Sequence, residues 1–258
     1  MSEFIKDGTQ IVPKPQGMDY DLIPGKVYNL NYKHGWTEYP YIEEDGVLDL
    51  PSKIYDEDTF FIERILNTFN TYTNNVGALL TGLKGSGKSL TAKVIAKKSG
   101  LPILVVSPSF PSSSLKDFFT TFETPVCVIF DEVDKNRKYW DTEEMLNFLD
   151  GIQSTTKKLV VMTCNETCNL SDFVLDRCSR IKYFKKYNGL TLNIIKEVVT
   201  NMLGKEDDEL SDYINTFLKV KSFDNIIIYL KEIIAYPDHD KYKLLDDMNI
   251  TIKKKEEK

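Results

Sequence analysis

Histidine is almost missing from this chain: His34 and His239 are the only two in 258 residues, and they stand far apart. Cysteine is sparse too. Cys127, Cys164, Cys168 and Cys178 show no C-x-x-C spacing, and Cys164 with Cys168 makes a weak zinc pair with both histidines distant. Cys127 and Cys164 fall inside apolar runs, as expected of buried thiols in a reducing cytoplasm. No apolar run approaches the ~20 residues of a membrane span. The start, Met1-Ser2-Glu3-Phe4, lacks the basic and apolar regions of a signal peptide. Basic excess is also lacking: the net charge of −6 argues against a general nucleic-acid coat, while leaving local basic patches open. There is no internal repeat. What is present is 41% hydrophobic and 28% charged residues, ample for a globular core in one large domain or in a core domain with a small second one.

The rest of the chain is organised around Gly82-Leu83-Lys84-Gly85-Ser86-Gly87-Lys88-Ser89. This fits G-x-x-x-x-G-K-[ST], a phosphate-binding loop. Its glycines allow a tight turn and bring backbone N–H groups close to phosphate oxygens. Lys88 can bridge terminal phosphates, and the Ser89 hydroxyl can hold Mg²⁺. Gly77 to Thr81 reads as a buried strand entering the loop, and Leu90, Val94 and Ile95 recur at helical spacing after it. The loop, with Leu90 at the helix start, is therefore the candidate nucleotide contact.

Before the loop, residues 1–25 are polar and carry Pro13, Pro15 and Pro24, so they wrap or dangle. Lys26 to Tyr32 and Thr37 to Ile42 predict two short strands around His34-Gly35. Asp58 can cap a helix that shows Phe61, Ile62, Ile65, Leu66 and Phe69 on one face. After the loop, strands at 102–106, 126–130 and 159–162 alternate with helices whose faces carry Leu115, Phe118, Phe119 and Phe122, then Met145, Leu146 and Leu149. Ser113 or Ser114 can cap the first of these and Asp141 the second. Continuous apolar strands alternating with helices imply a parallel sheet covered on both faces. From Tyr187 three amphipathic helices follow, the last capped by Ser222 or Asp224, and Lys253 to Lys258 reads as a frayed tail.

Polar residues cluster where these strands end, which is where ligands bind in such sheets. Asp131 and Glu132 follow the run Val126 to Phe130. The first can hold Mg²⁺, and the second can take a proton from an attacking water. Asn165 follows the strand 158–164 and can orient that water; as a lone residue it would be a turn asparagine. Arg177 and Arg180 precede a strand at Ile181 to Phe184. They can neutralise charge on a transferred phosphoryl group, or they can pair with Asp172 or Asp176 on the surface.

Taken in order over roughly residues 50–235, these residues resemble the AAA+ ATPases. Gly82 to Ser89 matches the first Walker motif and Val126 to Glu132 the second. Leu149-Asp150-Gly151 is similar to the L-D-G of the AAA group. Asn165 matches the sensor-1 residue, and Arg177-Cys178-Ser179-Arg180 resembles the R-x-x-R arginine-finger pair. The resemblance implies a P-loop α/β core with a five-stranded parallel sheet of order 5-1-4-3-2 and a small helical lid. It also implies ATP and Mg²⁺ as ligands and a homo-oligomeric ring, usually hexameric, whose arginines act on the neighbour's nucleotide. The expected divisions are an N-terminal extension with a short hairpin at 1–49, the nucleotide-binding domain at 50–186, the lid at 187–236 and a tail at 237–258. Compactness resembles small bacteriophage ATPases, which would place the chain in the host cytoplasm, with no membrane association.

The chain departs from the family's pattern in two places. The lid has no arginine at the sensor-2 position. Where polypeptide-threading members carry an aromatic–hydrophobic–Gly loop, this chain has Ser107-Pro108-Ser109-Phe110-Pro111. Phe110, Tyr139 and Trp140 either line a channel or pack against neighbours. The first expected function is ATP hydrolysis coupled to remodelling of a protein or assembly. A nucleic-acid motor, or a helicase- or clamp-loading ATPase, is the alternative, with Lys135, Arg137, Lys138, Lys157 and Lys158 as its basic candidates. A slow nucleotide switch is a third.

Overall fold

Strands buried on both faces need no polar alternation, and the apolar runs of this chain obey that rule. The computed structural model describes residues 4–7, 10–13, 21–35, 38–55, 58–135, 141–150, 156–165 and 180–253. Four strands come first: β1 (Phe4–Asp7), β2 (Gln10–Pro13), β3 (Lys26–Lys33) and β4 (Tyr39–Val47). Helix α1 (Thr59–Thr71) follows, capped by Asp58, whose carboxylate accepts from Phe61 N at 2.9 Å. Next come β5 (Val76–Gly82), α2 (Lys88–Ser99), β6 (Ile103–Val106), α3 (Leu115–Thr120), β7 (Val126–Phe130), α4 (Thr142–Asp150), β8 (Lys158–Cys164) and β9 (Tyr183–Tyr187). Three helices complete the order: α5 (Leu192–Leu203), α6 (Asp208–Phe217) and α7 (Phe223–Ala235).

The strands form one sheet of order β1-β2-β4-β3-β6-β7-β8-β5-β9. Its last five members, read from β9 inward, give the order 5-1-4-3-2 expected of the core. The expected strand number of five is corrected to nine. The N-terminal strands join the same sheet, because β3 lies parallel to β6 and pairs Val27 with Ile103 through Leu30 with Val106. A long antiparallel hairpin of β3 and β4, with β2 on β4 and β1 on β2, carries the sheet further. Residues 1–25 therefore contain two strands where the composition suggested a loose wrap. Proline misled there, since Pro13 sits at a strand end and Pro24 in a turn.

The chain divides into two compact units. The first comprises Met1–Pro51, Asp58–Thr81 and Ser89–Lys186; the second comprises Ser52–Glu57, Gly82–Lys88 and Tyr187–Lys258. In the first unit, Phe118, Phe119, Phe122, Phe130 and Phe148 make a chain of ring contacts between α3, α4 and β7. Asp141 caps α4 by accepting from Glu143 N and Glu144 N. Neither serine offered as the α3 cap does so: a 3₁₀ turn, Ser112–Ser114, feeds α3 without a side-chain cap. In the second unit, α5, α6 and α7 pack around Ile195, Val198, Leu210, Ile214, Ile226 and Leu230. Ser222 caps α7 by accepting from Asn225 N at 3.2 Å. Beyond α7 the chain returns to the bundle: Leu245 is buried, and Leu218 bridges Ile252.

One buried charge stands out. Lys158 opens β8 at 1% exposure, and its ammonium donates to Thr156 O at 3.0 Å. Burial pulls its pKa from 10.5 down to about 8. Between those values the unfolded chain holds a proton that the folded chain has lost. Stability therefore rises as pH climbs through that window, and the burial cost is fully felt below it. Lys158→Met should raise the unfolding free energy by roughly 1–3 kcal/mol at pH 7, with the gain shrinking toward pH 10.5. Urea unfolding across that range checks it, and a pH-independent difference would refute the buried charge as its cause.

Candidate nucleotide site

The loop between β5 and α2 is shaped by what presses on it. At Gly82 the backbone takes φ +119°, and a Cβ there would run into Tyr187 O. Leu83 N donates to that same carbonyl at 3.1 Å. Gly85, at φ +70°, carries the Asp224 carboxylate against the place a Cβ would occupy. Phe223 N donates to Gly85 O at 2.9 Å, so the start of α7 is tied to the loop. Lys88 is 5% exposed, and its ammonium donates to Gly82 O at 2.9 Å and Leu83 O at 2.6 Å. Those two carbonyls orient the ammonium within the loop. Ser86 Oγ donates to Leu83 O at 2.6 Å, bracing the turn, while Lys84 lies exposed at its tip. Ser89 and Leu90 follow in the first turn of α2, where unpaired N–H groups and the helix dipole favour an anion.

In the first unit the ends of β7 and β8 form a hydrogen-bonded set. Asp131 Oδ1 accepts from Ser89 Oγ at 2.8 Å and from Thr163 Oγ1 at 2.5 Å. Thr163 Oγ1 in turn accepts from Glu132 N at 2.8 Å. Glu132 has φ +52°, the one positive φ on a non-glycine among the described residues. Asn165 Nδ2 donates to Glu132 Oε1 at 3.1 Å, and Asn165 N donates to Asp134 Oδ1 at 2.9 Å. Lys135 pairs with Glu132 Oε2, and that hydrogen bond raises the lysine pKa. The structure thus brings together Ser89, Asp131, Glu132 and Asn165 as the sequence suggested.

Sequence reasoning missed Thr163, Asp134 and Lys135 as members of this set. A signal for Thr163 existed: it is the polar residue breaking an apolar run just before the strand end. Tyr55 and Phe223 were missed as well. Their rings lie 5.9 Å apart, and the Phe223 ring faces Gly87 of the loop.

Other expectations change. Arg180 is buried, and its guanidinium donates to both Asp150 oxygens at 2.6 Å. That hydrogen bonding raises its pKa further. Its partner among the described residues is Asp150, the acid of the L-D-G stretch; Asp172 and Asp176 lie outside the described residues with Arg177, Tyr139 and Trp140. Phe110 packs and does not line a channel: it is fully buried against Tyr32 and Phe118. The basic candidates among the described residues do not form one row. Lys135 follows the far end of β7, whereas Lys157 and Lys158 sit at the near end of parallel β8. Lys157 donates to the Phe69 and Tyr72 carbonyls, and Arg137 and Lys138 lie outside the described residues. Cys127 is buried, which pushes its thiol up to about 12, and Cys164 is buried too. Cys168 and Cys178 lie outside the described residues. Among the described residues no helix is long and apolar enough to cross a membrane.

The sequence of a phosphate loop between strand and helix, followed by an apolar strand that ends in Asp-Glu, is the pattern of P-loop nucleoside triphosphatases. Residues 78–186 match the model of the ATPase family associated with various cellular activities (AAA). Two solved structures share the fold. A RuvB mutant from Thermotoga maritima aligns with TM-score 0.56 and 17% identity over 76% of this chain and 71% of that one. A structure described as the basis for katanin self-assembly aligns with TM-score 0.52 and 18% identity over 76% and 74%. Comparison with curated proteins finds no match.

The buried pair carries its own expectation. Removing one partner strands the other charge. Arg180→Ala should cost about 2–4 kcal/mol of stability, more than Lys185→Ala, whose partner Asp58 is more exposed. Chemical denaturation compares the two, and equal costs would mean that the Arg180–Asp150 pair braces nothing.

Proposed function

We propose that this chain is a Mg²⁺-dependent ATP hydrolase that works as a homo-oligomeric ring, hexameric as the resemblance implies, and remodels a protein or larger assembly. The observation that carries the chemistry is the linked set Ser89, Asp131, Thr163, Glu132 and Asn165. Lys88 and the N–H groups of Leu83 to Ser89 bind the phosphates. Ser89 and Asp131 supply a hydroxyl and a carboxylate oxygen 2.8 Å apart, the hard oxygen donors that Mg²⁺ prefers. Mg²⁺ held there would neutralise charge on the phosphate oxygens. Glu132 takes the proton of the attacking water, and Asn165 holds the carboxylate in place. Tyr55 and Phe223 offer flat apolar faces for the base.

Arginine from a neighbouring subunit would complete the reaction. Arg180 can serve only after its pair with Asp150 opens, so Arg177 is the first choice. Remodelling by polypeptide threading is disfavoured, because Phe110 is locked into the core and Ser107 N donates to Leu30 O at 2.9 Å. A nucleic-acid motor in phage replication or packaging is the second reading. It is weakened because its described lysines fall at opposite ends of the strands.

ATP binding and turnover test the assignment together. Lys88→Ala should lose ATP affinity while remaining folded. Glu132→Gln should keep ATP and lose about 10²–10⁴ in kcat, since Gln cannot accept the proton. If the ring supplies arginine in trans, wild-type specific activity should also rise with protein concentration. A kcat loss below tenfold in Glu132→Gln would assign the base elsewhere.

A further inference from the structure

The sheet ends at β9, and its outward side chains repeat cation, ring, cation. Lys182, just before the strand, is exposed, as are Phe184 and Lys186, whereas Ile181 and Tyr183 are buried and Lys185 is half-buried. The inward set is tied down. Tyr183 Oη donates to Arg64 O at 3.1 Å, and Lys185 pairs with Asp58 at 3.0 Å, so β9 is fixed on α1. The backbone is fixed too, since Lys182 N donates to Gly77 O at 3.0 Å. Neither Lys182 nor Lys186 forms an ion pair among the described residues. On α1 the exposed Arg64 stands beside Glu63, so the excess charge rests on the two lysines. In a chain of net charge −6 this is a local reversal of sign.

Apolar surface accompanies the charge. Phe184 lies between the lysines at 49% exposure, and aromatic rings left in water are enriched where partners bind. The repeat along the strand decides what fits. Side chains two residues apart stand about 6.6 Å from each other in a strand. An extended chain with acid, apolar and acid at alternate positions has the same spacing and the complementary chemistry. Nucleic acid fits less well, because stacked bases need free ring faces. Arg64 lies over the Phe60 ring at 5.6 Å, and Lys182 over the Tyr72 ring at 3.7 Å. Those two exposed rings already carry a cation, which leaves Phe184 alone.

We propose that the outward face of β9 docks an extended acidic segment of a partner protein. Lys182 and Lys186 pair with its carboxylates, and Phe184 covers the apolar side chain between them. This goes beyond the hydrolase reading and does not depend on it. Lys182, Phe184 and Lys186 belong to neither the phosphate loop nor the tips of β7 and β8, so docking is measurable without nucleotide.

The test is fluorescence anisotropy of the full chain with a labelled peptide of repeating Glu-Ser-Leu-Ser. The same peptide with Gln for Glu, and an oligothymidine strand, run beside it. The Glu peptide should bind at low salt and weaken as salt rises, because the pairs are exposed. Lys182→Gln combined with Lys186→Gln should weaken it about threefold to thirtyfold, the scale of two exposed pairs. Lys182→Arg combined with Lys186→Arg should bind it as wild type does. Melting temperature and ATP turnover should stay near wild type in both double variants. The proposal fails if the Glu peptide binds no better than the Gln peptide, or if the double Gln variant binds it as tightly as wild type. It gives way to nucleic acid if oligothymidine binds more tightly than the Glu peptide and depends on the same two lysines. It gives way to a second copy of the chain if the double Gln variant sediments as a smaller species than wild type.

Discussion

Two hydroxyl groups meet one carboxylate oxygen, Asp131 Oδ1, and the chemistry of the strand tips depends on that meeting. Ser89 arrives from the first turn of α2 and Thr163 from the last residues of β8. Their convergence is a consequence of register. β7 and β8 pair Val126 with Lys158 through Phe130 with Met162. A slip of one residue would send Thr163 to the opposite face of the sheet. The ladder thus sets an angstrom-scale distance at its end, and the apolar packing along its length holds the ladder. Val126, Cys127, Val128, Leu159, Val160 and Val161 are all fully buried. Rigid strands ending in polar residues are a sound way to hold reacting groups in place.

The N-terminal strands bear on function from the other edge. By joining β6 in parallel, β3 brings Tyr32 against Phe110 and His34 to the Ser109 carbonyl at 3.3 Å. The loop after β6 is thereby anchored to the extension. An aromatic residue that would need to swing into a channel is here a core side chain, surrounded by Tyr32 and Phe118. This shifts the account of mechanical work away from gripping an extended polypeptide with that loop.

Sequence made the nucleotide half of the site legible because its chemistry is local. Four residues within a window of eight must be of particular types for a phosphate loop to form, and a five-residue apolar run must deliver Asp131 to a sheet edge. The core strand order was legible only through family resemblance, since no local pattern says which parallel strand lies beside which. Thr163 escaped notice, and Lys135 entered only as a basic candidate, because their partners lie across a strand pair or around one turn. The Arg180 pairing with Asp150 spans thirty positions of sequence. The acids near Arg180 in sequence looked like better partners than the one the fold supplies. Residues 1–25 were misread because alternation over four-residue strands is too short to outweigh three prolines and polar neighbours.

The central claim is that hydrogen bonding at the tip of β8 places Asp131 and Glu132 for hydrolysis. Thr163→Val tests it most directly. Valine keeps the shape and β-propensity of threonine while removing the hydroxyl that both residues use. Single-turnover ATP hydrolysis in this variant should slow by about tenfold to a hundredfold, the scale of a catalytic group displaced by an ångström, with ATP affinity preserved through the phosphate loop. Hydrolysis at the wild-type rate in a folded Thr163→Val chain would contradict the account.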